Sequence, residues 1–136
     1  MKITVEAIVM APLETVWRAW TTPADIMAWN AASDDWHTTA STVDLRPGGI
    51  FSSRMEAKDG SFGFDFAGTY TRVEPYSLIE AQFGDRVMSV AFVETGEGVT
   101  VVETFDAEET NPPEMQRQGW QAILNRFKAH VESTAK

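Results

Sequence analysis

Asn111-Pro112-Pro113-Glu114-Met115-Gln116-Arg117-Gln118-Gly119-Trp120-Gln121-Ala122-Ile123-Leu124-Asn125-Arg126-Phe127-Lys128-Ala129-His130-Val131 reads as one helix that closes the chain. The prolines stand at its entry, where a missing amide costs nothing, and Trp120, Ile123, Leu124, Phe127 and Val131 fall on one apolar stripe. Immediately upstream, from Val43 to Phe105, apolar and polar residues alternate between glycine-bearing turns, the pattern of consecutive antiparallel strands. A sheet of that extent needs a cover for its apolar face, and the helical stripe supplies one. The predicted arrangement is a curved sheet gripping a helix, with a cavity between them suited to a small apolar molecule.

Working outward, Ile3 to Met10 reads as a first strand, and Pro12 as the opening of a helix that carries Val16, Trp17, Ala19 and Trp20. Thr22-Pro23-Ala24-Asp25 restarts the chain as a second short helix, with Thr22 as N-cap, Pro23 at the first position and Asp25 completing a capping box. Asn30 to Thr42 is polar and aperiodic, which predicts a loop bearing Trp36 and His37 ahead of a short strand at Thr42 to Leu45. Further strands follow at Ile50 to Ala57, Ser61 to Val73 with a bend near Gly68, Leu78 to Phe83, Val87 to Val93 and Val99 to Phe105. The expectation is an α+β fold in the order β-α-α-β6-α: a seven-stranded antiparallel sheet, two short helices after strand one, and one domain over residues 1–136 without repeats or linkers.

Composition narrows the function classes. A chain of 136 residues buries roughly two-thirds of the surface its unfolded form exposes, enough for a full core. Zero cysteines exclude disulfides, thiolate zinc sites and cysteine nucleophiles, and fit a reducing compartment. Met1-Lys2-Ile3-Thr4-Val5 leads straight into a strand pattern without an apolar run long enough for a signal peptide or a membrane span, so the expected location is cytoplasmic with no membrane partner. Eleven basic against twenty acidic residues, a net charge of −9, repel phosphate backbones and exclude nucleic acid as a partner. The two histidines are far apart, and Asp34-Asp35 and Glu108-Glu109 lack ligand spacing, so neither metal nor cofactor is expected. Phosphate-cradling glycine loops and the Gly-x-Ser-x-Gly elbow are absent from the sequence.

Four strings stand out: Val16-Trp17-Arg18-Ala19-Trp20-Thr21-Thr22-Pro23, Asp44-Leu45-Arg46-Pro47-Gly48-Gly49-Ile50-Phe51, Phe66-Ala67-Gly68-Thr69-Tyr70 leading to Val73-Glu74-Pro75, and Gln118-Gly119-Trp120-Gln121-Ala122-Ile123-Leu124. In this order and spacing they resemble the START-like, helix-grip (SRPBCC) superfamily, and within it the branch named for activators of the heat-shock protein 90 ATPase. The resemblance spans nearly the whole chain and implies the helix-grip fold with its internal cavity. It carries no catalytic set, because the superfamily holds lipid carriers, hormone receptors and polyketide cyclases alike.

Strand parity supplies the candidate site. With Phe51, Phe66, Tyr70 and Phe105 facing inward, a period of two places Ser53, Met55, Phe62, Phe64, Val99, Val101 and Glu103 on the same side. Glu103 stands in an otherwise apolar row, where burial raises a carboxyl pKa and fits it for acid-base work. The candidate ligand contacts are Trp29, Trp36, Phe66, Tyr70, Met88, Glu103, Phe105 and Trp120; the candidate catalytic residues are Glu103, His37 and Tyr70. Arg54 reads as outward-facing, Arg86 as part of a hairpin, and His130 as a cation near the closing helix's C-terminus. Three functional readings stay open: a binding protein for a small apolar or aromatic molecule, a cyclase- or hydrolase-type enzyme using Glu103 or His37, and an interaction module for a chaperone. Free sheet edges also leave a homodimer open.

Overall fold

The protein is described by a computed structural model covering residues 1–134. Its elements are β1 (Lys2–Val9), α1 (Leu13–Thr21), α2 (Pro23–Trp29), β2 (Trp36–Val43), β3 (Ile50–Ala57), β4 (Gly63–Glu74), β5 (Leu78–Phe83), β6 (Arg86–Thr95), β7 (Gly98–Asp106) and α3 (Pro113–Thr134). The strands form one seven-stranded antiparallel sheet in the order β1-β7-β6-β5-β4-β3-β2. The meander from β2 to β7 is thus closed at one side by β1, which returns to pair with β7 in the register Val5↔Glu103 and Val9↔Val99. The α+β helix-grip architecture expected from the sequence is the one observed.

Alternation accounts for the core. Val5 and Val9 of β1, Val90 and Phe92 of β6 and Val99 and Val101 of β7 point to the concave face, where Leu124, Phe127 and Val131 of α3 cover them. The helix does not lie over the middle of the sheet. It packs mainly against β1, while α2 leans on β2, and the concave face of β3, β4 and β5 is left without a close helical cover. That offset makes the room for the cavity described below.

Three local readings need correction. Trp36 and His37 lie on β2, which runs from Trp36 to Val43 where a loop was expected. Its sequence, Trp-His-Thr-Thr-Ala-Ser-Thr-Val, has too few apolar residues for alternation to show, as suits an edge strand with both faces partly wet. Pro12 is the N-cap of α1 in extended conformation (φ −62°, ψ 147°), one position before the expected first helical residue. Pro23 does occupy the opening of α2, but its N-cap Thr22 makes no side-chain capping bond.

The bend expected near Gly68 has a structural counterpart just beyond it, a register shift in the β4–β5 pairing between Tyr70 and Arg72. Gly68 itself is required for a different reason: a Cβ there would stand 2.5 Å from the Gln82 carbonyl oxygen and 2.9 Å from the Phe51 ring, which lies across it. At the other side of the sheet, the polar face of α3 reaches the unpaired rim of β1. Gln121 Nε2 donates to Glu6 O (3.1 Å), Lys128 Nζ donates to Ile8 O (2.6 Å), and Met10 N donates to Glu132 Oε2 (2.9 Å).

Candidate functional site

Between the offset helices and the exposed half of the concave face lies a cavity of about 490 Å³ that opens to solvent. Trp29 from α2 and Trp120 and Ile123 from α3 form its roof, and Phe51, Met55, Phe66, Tyr70 and Ala81 its floor. Met88 and Glu103 stand on the far wall, and the exposed Phe64 and Met115 mark the mouth. Along α3, Met115, Gln116, Gly119, Trp120 and Ile123 all face this space, as three- and four-residue spacing on one helical side requires.

The aromatic rings are held in place by one another. Trp29 donates its indole N–H to Ala19 O (3.0 Å) and packs edge-on against Phe127, with ring centroids 5.0 Å apart. Trp36 sits at the lip against Phe62 (6.0 Å) and Phe64 (5.9 Å). Phe62 itself belongs to the turn before β4 and is exposed, so only the later members of the predicted inward row reach the interior. Phe66 meets Trp120 edge-on at 6.1 Å and Phe83 at 5.4 Å. Trp120 in turn lies flat on Phe105, with centroids 3.8 Å apart and planes 10° from parallel. Phe105 is fully buried behind that indole and is absent from the cavity lining, so it supports the wall and does not form it.

Glu103 is the polar exception. It is 5% exposed, its strand neighbours in register are Val5 and Val90, and no described residue hydrogen-bonds its carboxyl. Burial alone pushes its pKa up to about 8, so the group is mostly protonated at neutral pH. Tyr70, on the floor, is raised to about 12, first by burial and then by the nearby charge of Asp44, and stays a neutral phenol. Ser53, also buried in the floor, lies 3.4 Å from the Ser41 hydroxyl.

His37 does not join this group. It is exposed on β2, opposite Glu56 in register, and does not line the cavity. The neighbouring Trp36 does, because successive side chains of a strand point to opposite faces. The placement of Arg54 agrees with its outward reading, since it is half-buried and paired with Glu56 (3.0 Å) and Asp65 (3.6 Å) and does not line the cavity.

Arg86 belongs to the cavity wall although the sequence reading assigned it only to a hairpin. Its guanidinium stands 4.4 Å over the Phe83 ring and donates to Asp106 O (3.4 Å). A signal for it exists in the sequence. Phe83-Gly84-Asp85-Arg86 is a two-residue hairpin, whose flanking residues pair and therefore share a face, and Phe83 is on the concave one. Gln116 was also missed. Its amide spans the loop before α3, donating to Glu108 O (3.1 Å) and Asn111 O (2.7 Å) and accepting from Glu108 N (2.8 Å), which fixes one rim of the mouth.

Among the described residues no helix is long and apolar enough to cross a membrane, and no cluster of three or more His, Asp or Glu side chains is placed to hold a metal ion.

The sequence profile of the activator of Hsp90 ATPase homolog 1-like family matches residues 10–132. The chain is 50% identical to an AHSA1-like protein from Aeromonas hydrophila whose solution structure superposes with a TM-score of 0.93, covering 98% of this chain and 94% of that one. A Cytophaga hutchinsonii protein is similar at 51% identity, with a TM-score of 0.84 over 98% and 93% of the two chains. A crystal structure from Chromobacterium violaceum, 24% identical, shares the fold with a TM-score of 0.87 over 97% and 98%. No curated protein matches the chain in sequence.

Proposed function

The chain belongs to the activator of Hsp90 ATPase homolog 1-like family, and on that premise we propose that it binds a small apolar or aromatic molecule between its sheet and α3. The observation that carries this reading is the cavity of about 490 Å³, walled by rings from both layers and open to solvent. Its volume falls within the range of about 300 to 1,000 Å³ usual for small-molecule sites, and rigid aromatic walls suit flat, water-averse guests. Trp29, Trp36, Phe66, Tyr70, Met88, Glu103 and Trp120 are the proposed contacts; Phe105 acts through Trp120.

Acid-base catalysis has less support. Glu103 has no hydrogen-bonded titratable partner among the described residues, and His37 does not line the cavity. For a surface role toward a chaperone, which the family's description brings to mind, the exposed Phe62 and Phe64 carry no separate argument, because they pack with Trp36 at the cavity's own lip.

The test is a titration of the purified protein with naphthalene derivatives, flavonoids and fatty acids, read by tryptophan emission and by thermal unfolding. Binders are expected to perturb emission and raise Tm in a concentration-dependent way. The variant Gly119→Leu, which projects a side chain from the cavity-facing side of α3, should abolish both responses while leaving the circular dichroism of the free protein unchanged. A panel that changes neither emission nor Tm in the unmodified protein would refute the reading.

A further inference from the structure

Glu103 conflicts with its surroundings. Val101 and Phe105 flank it on the inward face of β7, Val5 and Val90 stand beside it in register, and Trp120 roofs Phe105 next to it. A carboxyl in such a row weakens the fold unless something completes its hydrogen bonding, and no described residue does so. The same side chain lines the cavity, so its unfilled capacity faces the space where a guest would sit. Local conflicts of this kind between sequence and fold are characteristic of functional positions.

We propose that Glu103 is the polar anchor of the cavity and that the bound molecule is an aromatic compound carrying a neutral oxygen group, a hydroxyl or a carbonyl, seated against it. This rests on the cavity-binding reading above and adds the chemical class of the guest. The flat rings of Trp29, Phe66 and Trp120 select an aromatic body. The anchor selects the substituent by its donor and acceptor inventory. A carboxyl that keeps its proton both donates and accepts, which a hydroxyl matches in full and a carbonyl in its acceptor half. A carboxylate or an ammonium guest would have to be stripped of water in an apolar row, and the one guanidinium of the wall, Arg86, is already engaged by the Phe83 ring and Asp106 O. A plain hydrocarbon would leave Glu103 as it is in the empty protein.

The deciding experiment compares 2-naphthol with 2-methylnaphthalene, two probes of nearly the same shape, by calorimetric titration at pH 6.5. The unmodified protein is expected to bind 2-naphthol roughly tenfold more tightly than the methyl compound. Glu103→Leu should bind both probes equally, keeping the apolar contribution and losing the preference, while Glu103→Gln, whose amide still donates and accepts, should retain much of it. Equal affinities in the unmodified protein, or a preference that survives in Glu103→Leu, would overturn the anchor and leave cavity binding standing. Failure of both probes to bind the unmodified protein would overturn cavity binding and the anchor with it.

Discussion

His130 Nε2 and Asp25 Oδ1 stand 2.9 Å apart, joining the last turns of α3 to the first turn of α2. The carboxylate that the sequence pattern assigned to a capping box thus serves a contact between helices 105 positions apart. Both side chains are partly exposed, so the pair holds orientation more than it adds stability. A double-mutant cycle with Asp25→Asn and His130→Gln should give a coupling of about 1 kcal/mol or less, shrinking as salt is raised. Strict additivity at low salt would show that the two groups do not interact in solution.

The pKa of Glu103 sets a pH dependence of known sign. Unfolded, the carboxyl titrates near 4.5; folded, near 8. Below the lower value both states are protonated and the group adds no pH dependence to stability. As pH rises between the two, the unfolded state loses its proton first, so stability falls until the folded group also ionises near pH 8, and is flat beyond. The slope approaches about 1.4 kcal/mol per pH unit, with about 5 kcal/mol as an upper bound on the whole loss. Urea midpoints of the unmodified protein and Glu103→Gln should therefore diverge steadily from pH 5 to pH 8, in favour of the variant. A constant difference would contradict the raised value.

Two glycines should respond to alanine with opposite signs. At Gly119 a Cβ meets nothing within 4 Å and the backbone is helical, so Gly119→Ala should stabilise by about 0.5 to 1 kcal/mol. At Gly68 the added carbon would collide with the Gln82 carbonyl and the Phe51 ring, and Gly68→Ala should cost about 1 to 3 kcal/mol. Thermal unfolding of the two variants checks both, and a shift of the same sign in each would count against the packing described here.

Trp29→Phe keeps an aromatic ring in the roof but removes the N–H that satisfies Ala19 O. A cost of about 1 to 2 kcal/mol is expected, read as a lowered urea midpoint at unchanged slope. Cavity ligands should still bind, because the ring face remains. A variant of full stability would mean that the indole is not anchored through its nitrogen.

Much of this was legible in the residues. The concave parity of Phe51, Met55, Phe66, Tyr70 and Glu103 follows from a period of two, and the apolar stripe of α3 from helical spacing. What escaped were positions whose role is set by a neighbour in space. Trp120 shields Phe105, and only coordinates show which of two stacked rings faces outward. β2 carries threonines where apolar alternation would have announced a strand, because an edge strand has little to bury. Arg86 reads in the sequence only as part of a hairpin, and its pairing with Phe83 is what puts it on the inner face.

The bonds from Gln121, Lys128 and Glu132 to Glu6, Ile8 and Met10 have a bearing on self-association. A second copy seeking to add a strand beside β1 finds carbonyls and an amide already engaged by this chain's own helix, so growth of the sheet in that direction must first peel α3 away. The opposite margin, β2, is interrupted by a bulge between Thr38 and Ala40, which spoils it as a template. The helix that roofs the cavity on one side therefore acts on its other side as a guard against polymerisation.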